Sequence, residues 1–94
     1  MVTGKRLTHL LRSIYWRKVT LMPEYCSHQL YNHEGKKVDD FEDPGSFSHL
    51  RVLFKNDLKL NLIKQNLGKV VDTSSEHCHI FTHNDYGFFE VIIT

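Results

Sequence analysis

The sequence predicts a small α+β domain, in which a mostly antiparallel sheet packs with an N-terminal amphipathic helix and a second helix. The chain has 94 residues, a length that fits one domain over residues 1–94. Apolar residues recur with helical spacing near its start, and β-rich runs follow one another at its end. A hydrophobic content of 40% and a charged content of 24% exclude disordered and fibrous classes.

The first predicted element is a helix over about residues 4–17. Its apolar face recurs at i, i+3, i+4, i+7 and i+8, and holds Leu7, Leu10, Leu11, Ile14 and Tyr15. Thr3 is a suitable N-cap. The opposite face is basic and is expected to carry Lys5, Arg6, His9, Arg12, Ser13 and Trp16. The pattern therefore predicts a helix that is apolar inside and basic outside.

The middle of the chain predicts strands, a loop and a second helix. Residues 18–22 have the β-branched character of a strand that Pro23 ends, and residues 28–32 and 36–41 predict a hairpin around Gly35. Acidic residues with Pro44 and Gly45 then predict a solvated loop. Residues 47–67 fit the apolar alternation of a strand and the apolar stripe of a helix equally well. An N-cap at Asn56 or Asp57, and Gly68 after the last helical turn, favour a strand followed by a helix over about 57–67.

Three β-rich runs close the chain, at residues 69–73, 77–82 and 88–94. The last two are separated by residues 83–87, which predict a hairpin loop. The final run, FFEVIIT, is nearly continuous in apolar residues and is therefore predicted to lie centrally in the sheet. Phe89, Val91 and Ile93 are expected on one of its faces, and Phe88 and Ile92 on the other.

The charge distribution along the chain is uneven, and the cysteine content indicates the cellular compartment. Residues 1–20 hold five basic residues and no acid, and residues 21–50 hold six acids against two lysines. Two cysteines could form at most one disulfide, fewer than small secreted scaffolds carry, so we expect a reducing cytoplasm. The apolar runs are too short for a signal peptide or a membrane span, so no membrane is expected; an organellar transit peptide is the alternative for the basic start.

The stretch EHCHIFTH, residues 76–83, concentrates histidines. On a strand, His77, His79 and Phe81 would share one face, with Cys78 and Ile80 on the core face. A solvent-facing histidine strand is the favoured interpretation. His77 and His79 are the candidates for general acid–base catalysis and for metal ligation, and His83, or His28 and Cys26, would have to complete a metal site. No bound cofactor is expected, and an enzyme is the less favoured class.

Two charged segments are the candidate binding surfaces. The outer face of the first helix offers Arg12, Trp16 and Arg17, whose charges and aromatic ring suit phosphates and bases, although a solvated face or pairing with the acidic loop would explain them equally. The acidic loop offers charge for steering and one aromatic anchor, in Asp39, Asp40, Phe41, Glu42 and Asp43.

The leading functional hypothesis is a protein that binds another protein, of the class that includes inhibitors, immunity proteins, antitoxins and phage-encoded regulators. Nucleic-acid binding through the basic helix is the second hypothesis. Catalysis or metal binding by the histidines is the third. A homodimer, with FFEVIIT pairing with its own copy, is left open.

Overall fold

The computed structural model of the chain describes residues 3–40, 42–55, 59–74, 76–83 and 88–94. It confirms the α+β prediction. The described helices are α1 (Thr3–Leu11), α2 (Ile14–Thr20) and α3 (Leu60–Leu67), and a 3₁₀ turn spans Pro44–Ser46. The described strands are β1 (Tyr25–Asn32), β2 (Lys37–Val38), β3 (Phe47–Phe54), β4 (Cys78–His83) and β5 (Phe88–Ile93). They form one sheet in the order β2-β1-β3-β5-β4, with every neighbouring pair antiparallel.

The basic N-terminal segment forms two helices, not the single helix that its apolar spacing predicts. Ser13 interrupts it: its Oγ accepts a hydrogen bond from the Trp16 N–H at 3.2 Å and donates one to the Leu10 carbonyl at 2.6 Å. Ser13 is thus the N-cap of α2, and caps of this kind compete with a continuing helix. The predicted strand over residues 18–22 is wrong, because α2 continues to Thr20 and Leu21 is its C-cap.

The hairpin around Gly35 is confirmed as β1 and β2. Gly35 has a φ of 79°, in the left-handed region that glycine adopts without strain. The Asn32 side chain accepts from the Glu34 and Lys36 N–H groups, at 2.9 and 3.0 Å, and so shapes the turn. β2 contains only two residues, so most of the outer edge of β1 is free of described strand partners.

The strand-then-helix prediction for residues 47–67 is confirmed by β3 and α3, and the cap predicted near position 57 lies outside the described residues. The strand predicted at residues 69–73 is wrong. The Val70 and Val71 N–H groups donate to the Leu67 carbonyl, at 3.1 and 3.0 Å, in turns that follow α3. Val71 is nevertheless buried in the core. The burial of Val71 in a turn explains why this segment contains the apolar residues from which a strand was predicted.

The two faces of the sheet differ. Leu30, Leu50, Ile93 and Cys78 occupy one row of paired positions and are buried, and the helices add their apolar faces to the same core. β5 lies between β3 and β4, as predicted, and Phe89, Val91 and Ile93 are in the core. None of the described helices has the length and hydropathy needed to cross a bilayer.

The opposite face of the sheet carries more polar and partly exposed side chains. Alternation along the strands places there Ser27, Gln29, Tyr31, His49, Arg51, Leu53, His79, Phe81, Glu90 and Ile92. Of these only Glu90 is buried. This second face, here called the open sheet face, is therefore not part of the hydrophobic core.

Candidate functional site

A groove of about 560 Å³ lies where α1 meets α2. Its walls come from both helices and consist of Leu11, Arg12, Ser13, Ile14, Trp16, Arg17 and Thr20. Arg12 and Arg17 are exposed on it. Neither arginine forms an ion pair with another side chain of the described ranges. The break at Ser13 creates this groove, because a continuous helix would leave no re-entrant corner.

Two large aliphatic side chains lie on the outer side of α2. Ile14 is 63% exposed and Leu21 is 76% exposed. They are seven positions apart, with Arg17 between them at i+3, so all three share one helix face. We call Arg12, Ile14, Arg17 and Leu21 the α2 surface. It combines cations with exposed apolar area, whereas the apolar spacing of the sequence placed Ile14 in the core.

Trp16 does not lie on the outer face where it was predicted. Its side chain is only 6% exposed and belongs to the core. The indole packs edge-on against His28, with ring centroids 5.1 Å apart, and against Tyr25 at 6.4 Å. The break at Ser13 explains the error, because it restarts the helical phase and turns Trp16 and Val19 inward. Trp16 is therefore excluded as a stacking platform for bases.

A chain of contacts links this tryptophan to the acidic loop. The Tyr25 hydroxyl and His28 Nδ1 are 2.7 Å apart, and His28 Nε2 lies 3.8 Å from an Asp40 carboxylate oxygen. Burial, and then the negative charge of Asp40, raise the pKa of Tyr25 above its ordinary value. The tyrosine is thus held protonated, which suits a hydrogen-bonding role and opposes a nucleophilic one.

The acidic loop is exposed as predicted. Asp39, Asp40, Glu42 and Asp43 are all exposed, and Phe41 lies outside the described residues. The Asp43 carboxylate accepts from the Gly45 N–H at 3.0 Å and caps the 3₁₀ turn, which packs against α1. The loop and the helical layer are therefore neighbouring parts of one side of the molecule.

The histidine segment forms the predicted strand from Cys78 onwards, with His77 just before it. His77 lies in the turn before β4, and its Nε2 is 3.9 Å from Asp72 and 4.0 Å from Glu76. His79 is exposed on the open sheet face beside Phe81, so the two histidines have different surroundings. The backbone of His83 ends β4, and its side chain lies outside the description.

The structure also locates the two cysteines and bears on the hypothesis of a metal site. Cys78 and Ile80 face the core as predicted, and burial raises the pKa of the Cys78 thiol. Cys26 is partly buried, and both cysteines are free thiols. Within the described ranges, no three residues of the types His, Cys, Asp and Glu come together to hold a metal ion.

The open sheet face has a polar centre that was not predicted from the sequence. Arg51 Nε donates to a Glu90 carboxylate oxygen at 2.9 Å, and a second guanidinium nitrogen contacts the same oxygen. Arg51 also reaches the Tyr31 hydroxyl at 3.3 Å, and Tyr31 stacks on His49 with ring centroids 4.7 Å apart. The alternation of His49, Arg51 and Leu53 with buried residues in β3 is the signal that predicts this face.

Comparison of the chain with protein-family models, with curated proteins and with solved structures gives no match.

Proposed function

We propose that the protein binds another protein through the α2 surface, as a small module of the class that includes inhibitors, immunity proteins, antitoxins and phage-encoded regulators. The observation that carries this proposal is the exposure of Ile14 and Leu21 on the same helix face as Arg17. Two exposed aliphatic side chains on one helix face, one of them lining the groove, are more informative than scattered exposed residues, because grouped apolar area beside polar residues is typical of interaction sites.

The chemistry of the α2 surface indicates the kind of partner. Arginine is enriched at the centres of protein interfaces, where its aliphatic stem packs and its guanidinium binds carboxylates in a bidentate manner. A partner segment with apolar side chains flanked by aspartate or glutamate would cover Ile14 and Leu21 and pair with Arg12 and Arg17. The surface therefore fits an acidic, partly apolar protein segment.

The acidic loop is proposed as a second, steering element. Asp39, Asp40, Glu42 and Asp43 are exposed near the edge of the helical layer, and the contact from Asp40 through His28 to Trp16 connects the two. Charges at the rim of an interface act mainly on the association rate and on its salt dependence. Because the α2 surface fits an acidic segment, the loop would act on basic residues elsewhere on the partner. Simultaneous reversal of Asp39, Asp40 and Glu42, which keeps the Asp43 cap, should slow partner capture while leaving the fold intact; unchanged capture would remove the loop from the proposal.

Affinity capture from a host lysate tests the proposal when the wild type is compared with two charge-reversal variants. In R12E/R17E the exposed cations of the α2 surface are reversed. In K36E/K37E the same change is made at exposed lysines of the β1–β2 hairpin, which serves as the matched control. Exposed substitutions of this kind change stability by only about 0.5 kcal/mol, so circular dichroism should show all three chains folded.

We expect one protein to be enriched with the wild type and with K36E/K37E, and to be lost with R12E/R17E. The loss should be at least about tenfold, because two charge reversals within one interface remove two favourable contacts and create repulsion. Replacing Ile14 and Leu21 together by serine should give a similar loss with little salt dependence. Equal capture by all variants would contradict the proposal.

Nucleic-acid binding remains the second candidate, and one observation favours it. Lys5 on α1, Arg12 in the turn between the helices, and Arg17 and Lys18 on α2 are all exposed, in a part of the sequence without acids. Phosphate contacts would make binding weaken steeply with salt. Fluorescence anisotropy with mixed oligonucleotides at several salt concentrations separates the two candidates. If the logarithm of the association constant falls linearly with the logarithm of the salt concentration, nucleic-acid binding is supported. The absence of binding at low salt contradicts it.

The compartment is also a matter of proposal. Both cysteines are free thiols, and one of them is buried in the core. This supports work in a reducing compartment such as the cytoplasm, where thiols persist.

A further inference from the structure

A second groove, of about 300 Å³, lies over β1 on the open sheet face. Ser27 and Tyr31 of β1 line it, and β1 lies between β2, which contributes Lys37, and β3, which contributes Arg51. Lys37 is paired with Tyr31 across the hairpin, so the two side chains are on the same face of the sheet. Pockets for small molecules begin at about 300 Å³. The groove, here called the β1 groove, therefore has room for a small molecule.

The guanidinium of Arg51 is held in a fixed position beside the β1 groove. Its Nε and Nη2 atoms each donate a hydrogen bond to the same carboxylate oxygen of Glu90, and its Nη1 atom donates one to the Tyr31 hydroxyl. A guanidinium has five N–H donors. Among the described residues these contacts use three of them, so one N–H on Nη1 and one on Nη2 are available to a ligand. The Arg51 side chain is 41% exposed, so a ligand in the groove can reach it.

The accessible charge in the β1 groove is positive. Lys37 is exposed on the opposite side of β1 from Arg51. Glu90 also lines the groove, but its side chain is only 12% exposed and its carboxylate binds Arg51. Burial, and then the charge of Arg51, lower the pKa of His49, whose ring stacks on Tyr31. His49 is therefore neutral at neutral pH, and the charge that a ligand meets comes from Arg51 and Lys37.

We propose that the β1 groove binds the phosphate group of a small phosphate ester. Two N–H groups of Arg51 can hold a phosphate in a bidentate manner, and Lys37 can reach it as a point charge from the other side of β1. The exposed hydroxyl of Ser27 adds a further donor. Leu53, which also lines the groove, would contact the organic part of the ester. This site is separate from the α2 surface and does not depend on the proposed protein-binding function.

The chemistry of the β1 groove disfavours other kinds of ligand. An apolar ligand would bury the remaining N–H donors of Arg51 without partners, which costs free energy. A cationic ligand would meet Arg51 and Lys37, which repel it. A carboxylate has one charge and two oxygens, whereas a phosphate monoester carries close to two charges at about pH 7.5 and has three terminal oxygens. Glu90 is a positioning residue in this scheme, because it orients Arg51 and does not touch the ligand.

Nuclear magnetic resonance of the backbone amides of the full chain, in buffer without phosphate at about pH 7.5, tests the proposal. Phenyl phosphate, inorganic phosphate and benzoate are added separately. We expect phenyl phosphate to shift the amides of residues 27–31, 37 and 51–53 in a saturable way, with a dissociation constant of about 1 mM. Inorganic phosphate should bind more weakly because it lacks the organic part, and benzoate at least about tenfold more weakly because it has a single charge.

Three variants assign the binding to individual groups. R51M/E90L replaces the ion pair by apolar side chains, a change that is often neutral for stability, and should weaken phenyl phosphate binding at least about tenfold. Lys37→Gln changes an exposed side chain and should weaken binding about fivefold. Lys36→Gln is the matched control, because Lys36 is the neighbouring exposed lysine and does not line the groove; it should bind as the wild type does.

The R12E/R17E chain should bind phenyl phosphate normally, so this result stands even if the α2 surface binds no protein. The proposal would be overturned by the lack of a saturable shift at residues 27–31 and 51–53 up to about 20 mM phenyl phosphate. Unweakened binding by R51M/E90L would also overturn it, as would shifts centred on residues 12–17 that disappear in R12E/R17E. Benzoate binding as tightly as phenyl phosphate would exclude a phosphate-specific site.

Discussion

Replacement of Trp16 by alanine should lower the free energy of unfolding by about 3 to 5 kcal/mol, the range observed for buried tryptophans. The 6% exposure of Trp16 means that nearly all of its side chain, up to about 250 Å², leaves water on folding. At about 25 cal/mol per Å² this area gives about 6 kcal/mol, an upper bound because unfolded chains already bury part of it. The loss would be a large share of the roughly 5 to 15 kcal/mol typical of a folded domain.

Urea denaturation followed by far-ultraviolet circular dichroism measures this loss, and Arg17→Ala is the matched control. Arg17 is the next residue of α2 and is exposed, so its removal should cost no more than about 0.5 kcal/mol. The chain has one tryptophan, so wild-type fluorescence gives an independent check. We expect blue-shifted emission with little acrylamide quenching. A change below about 1 kcal/mol on Trp16→Ala, or emission typical of water-exposed indole, would refute the burial argument.

Three further predictions concern other parts of the fold. Arg51→Met should cost about 2 kcal/mol in urea denaturation, because the buried Glu90 carboxylate loses its guanidinium partner, and R51M/E90L should recover most of it. Ser13→Ala should cost about 1 kcal/mol in the same assay through loss of the α2 cap; no change would contradict the capping role. In mass spectrometry after brief alkylation at neutral pH, Cys26 should react well before Cys78, whose burial and raised pKa both suppress the thiolate; equal rates would contradict this.

Where the sequence predicts a helix or a strand correctly, the signal lies in the residues of that segment and of the adjoining turn. The β1–β2 hairpin has strand-like residues on both sides and Gly35 at the position of positive φ. β3 follows from the alternation of apolar residues before residues 56–58. α3 follows from the apolar helical stripe after them and from Gly68. The β4–β5 pair follows from its β-branched and aromatic content. In the β1–β2 hairpin propensity and turn chemistry agree, whereas residues 84–87 of the loop predicted between β4 and β5 lie outside the described residues.

The errors arise where tertiary contacts outweigh local propensity. Residues 18–22 and 69–73 contain β-branched residues. However, Val19 is buried in the core as part of a helix, and Val71 is buried there as part of a turn. Likewise, the side chain of Ser13 resets the helical phase, a short-range hydrogen bond that an apolar-spacing argument ignores. The helix break at Ser13 places Trp16 inward and Ile14 outward, and thereby changes the composition of the candidate site.

Part of the candidate site was nevertheless predictable. Arg12, Arg17 and the acids of the loop are exposed as their charge requires. The pairing of Arg51 with Glu90 was not predictable, because it joins residues 39 positions apart through the β3–β5 register. His79 is exposed on β4 as predicted, and the error is confined to His77: the first residue of a strand cannot be fixed from its own segment, and β4 begins one residue after His77.

Hydrogen–deuterium exchange of the protein alone and in complex with its captured partner locates the binding surface on the chain. We expect the amides of residues 11–21 to gain protection in the complex, with a smaller effect at residues 39–43. The open sheet face, followed through residues 49–53, should be unchanged. Protection confined to residues 49–53, with none over residues 11–21, would contradict the claim that the α2 surface binds the partner.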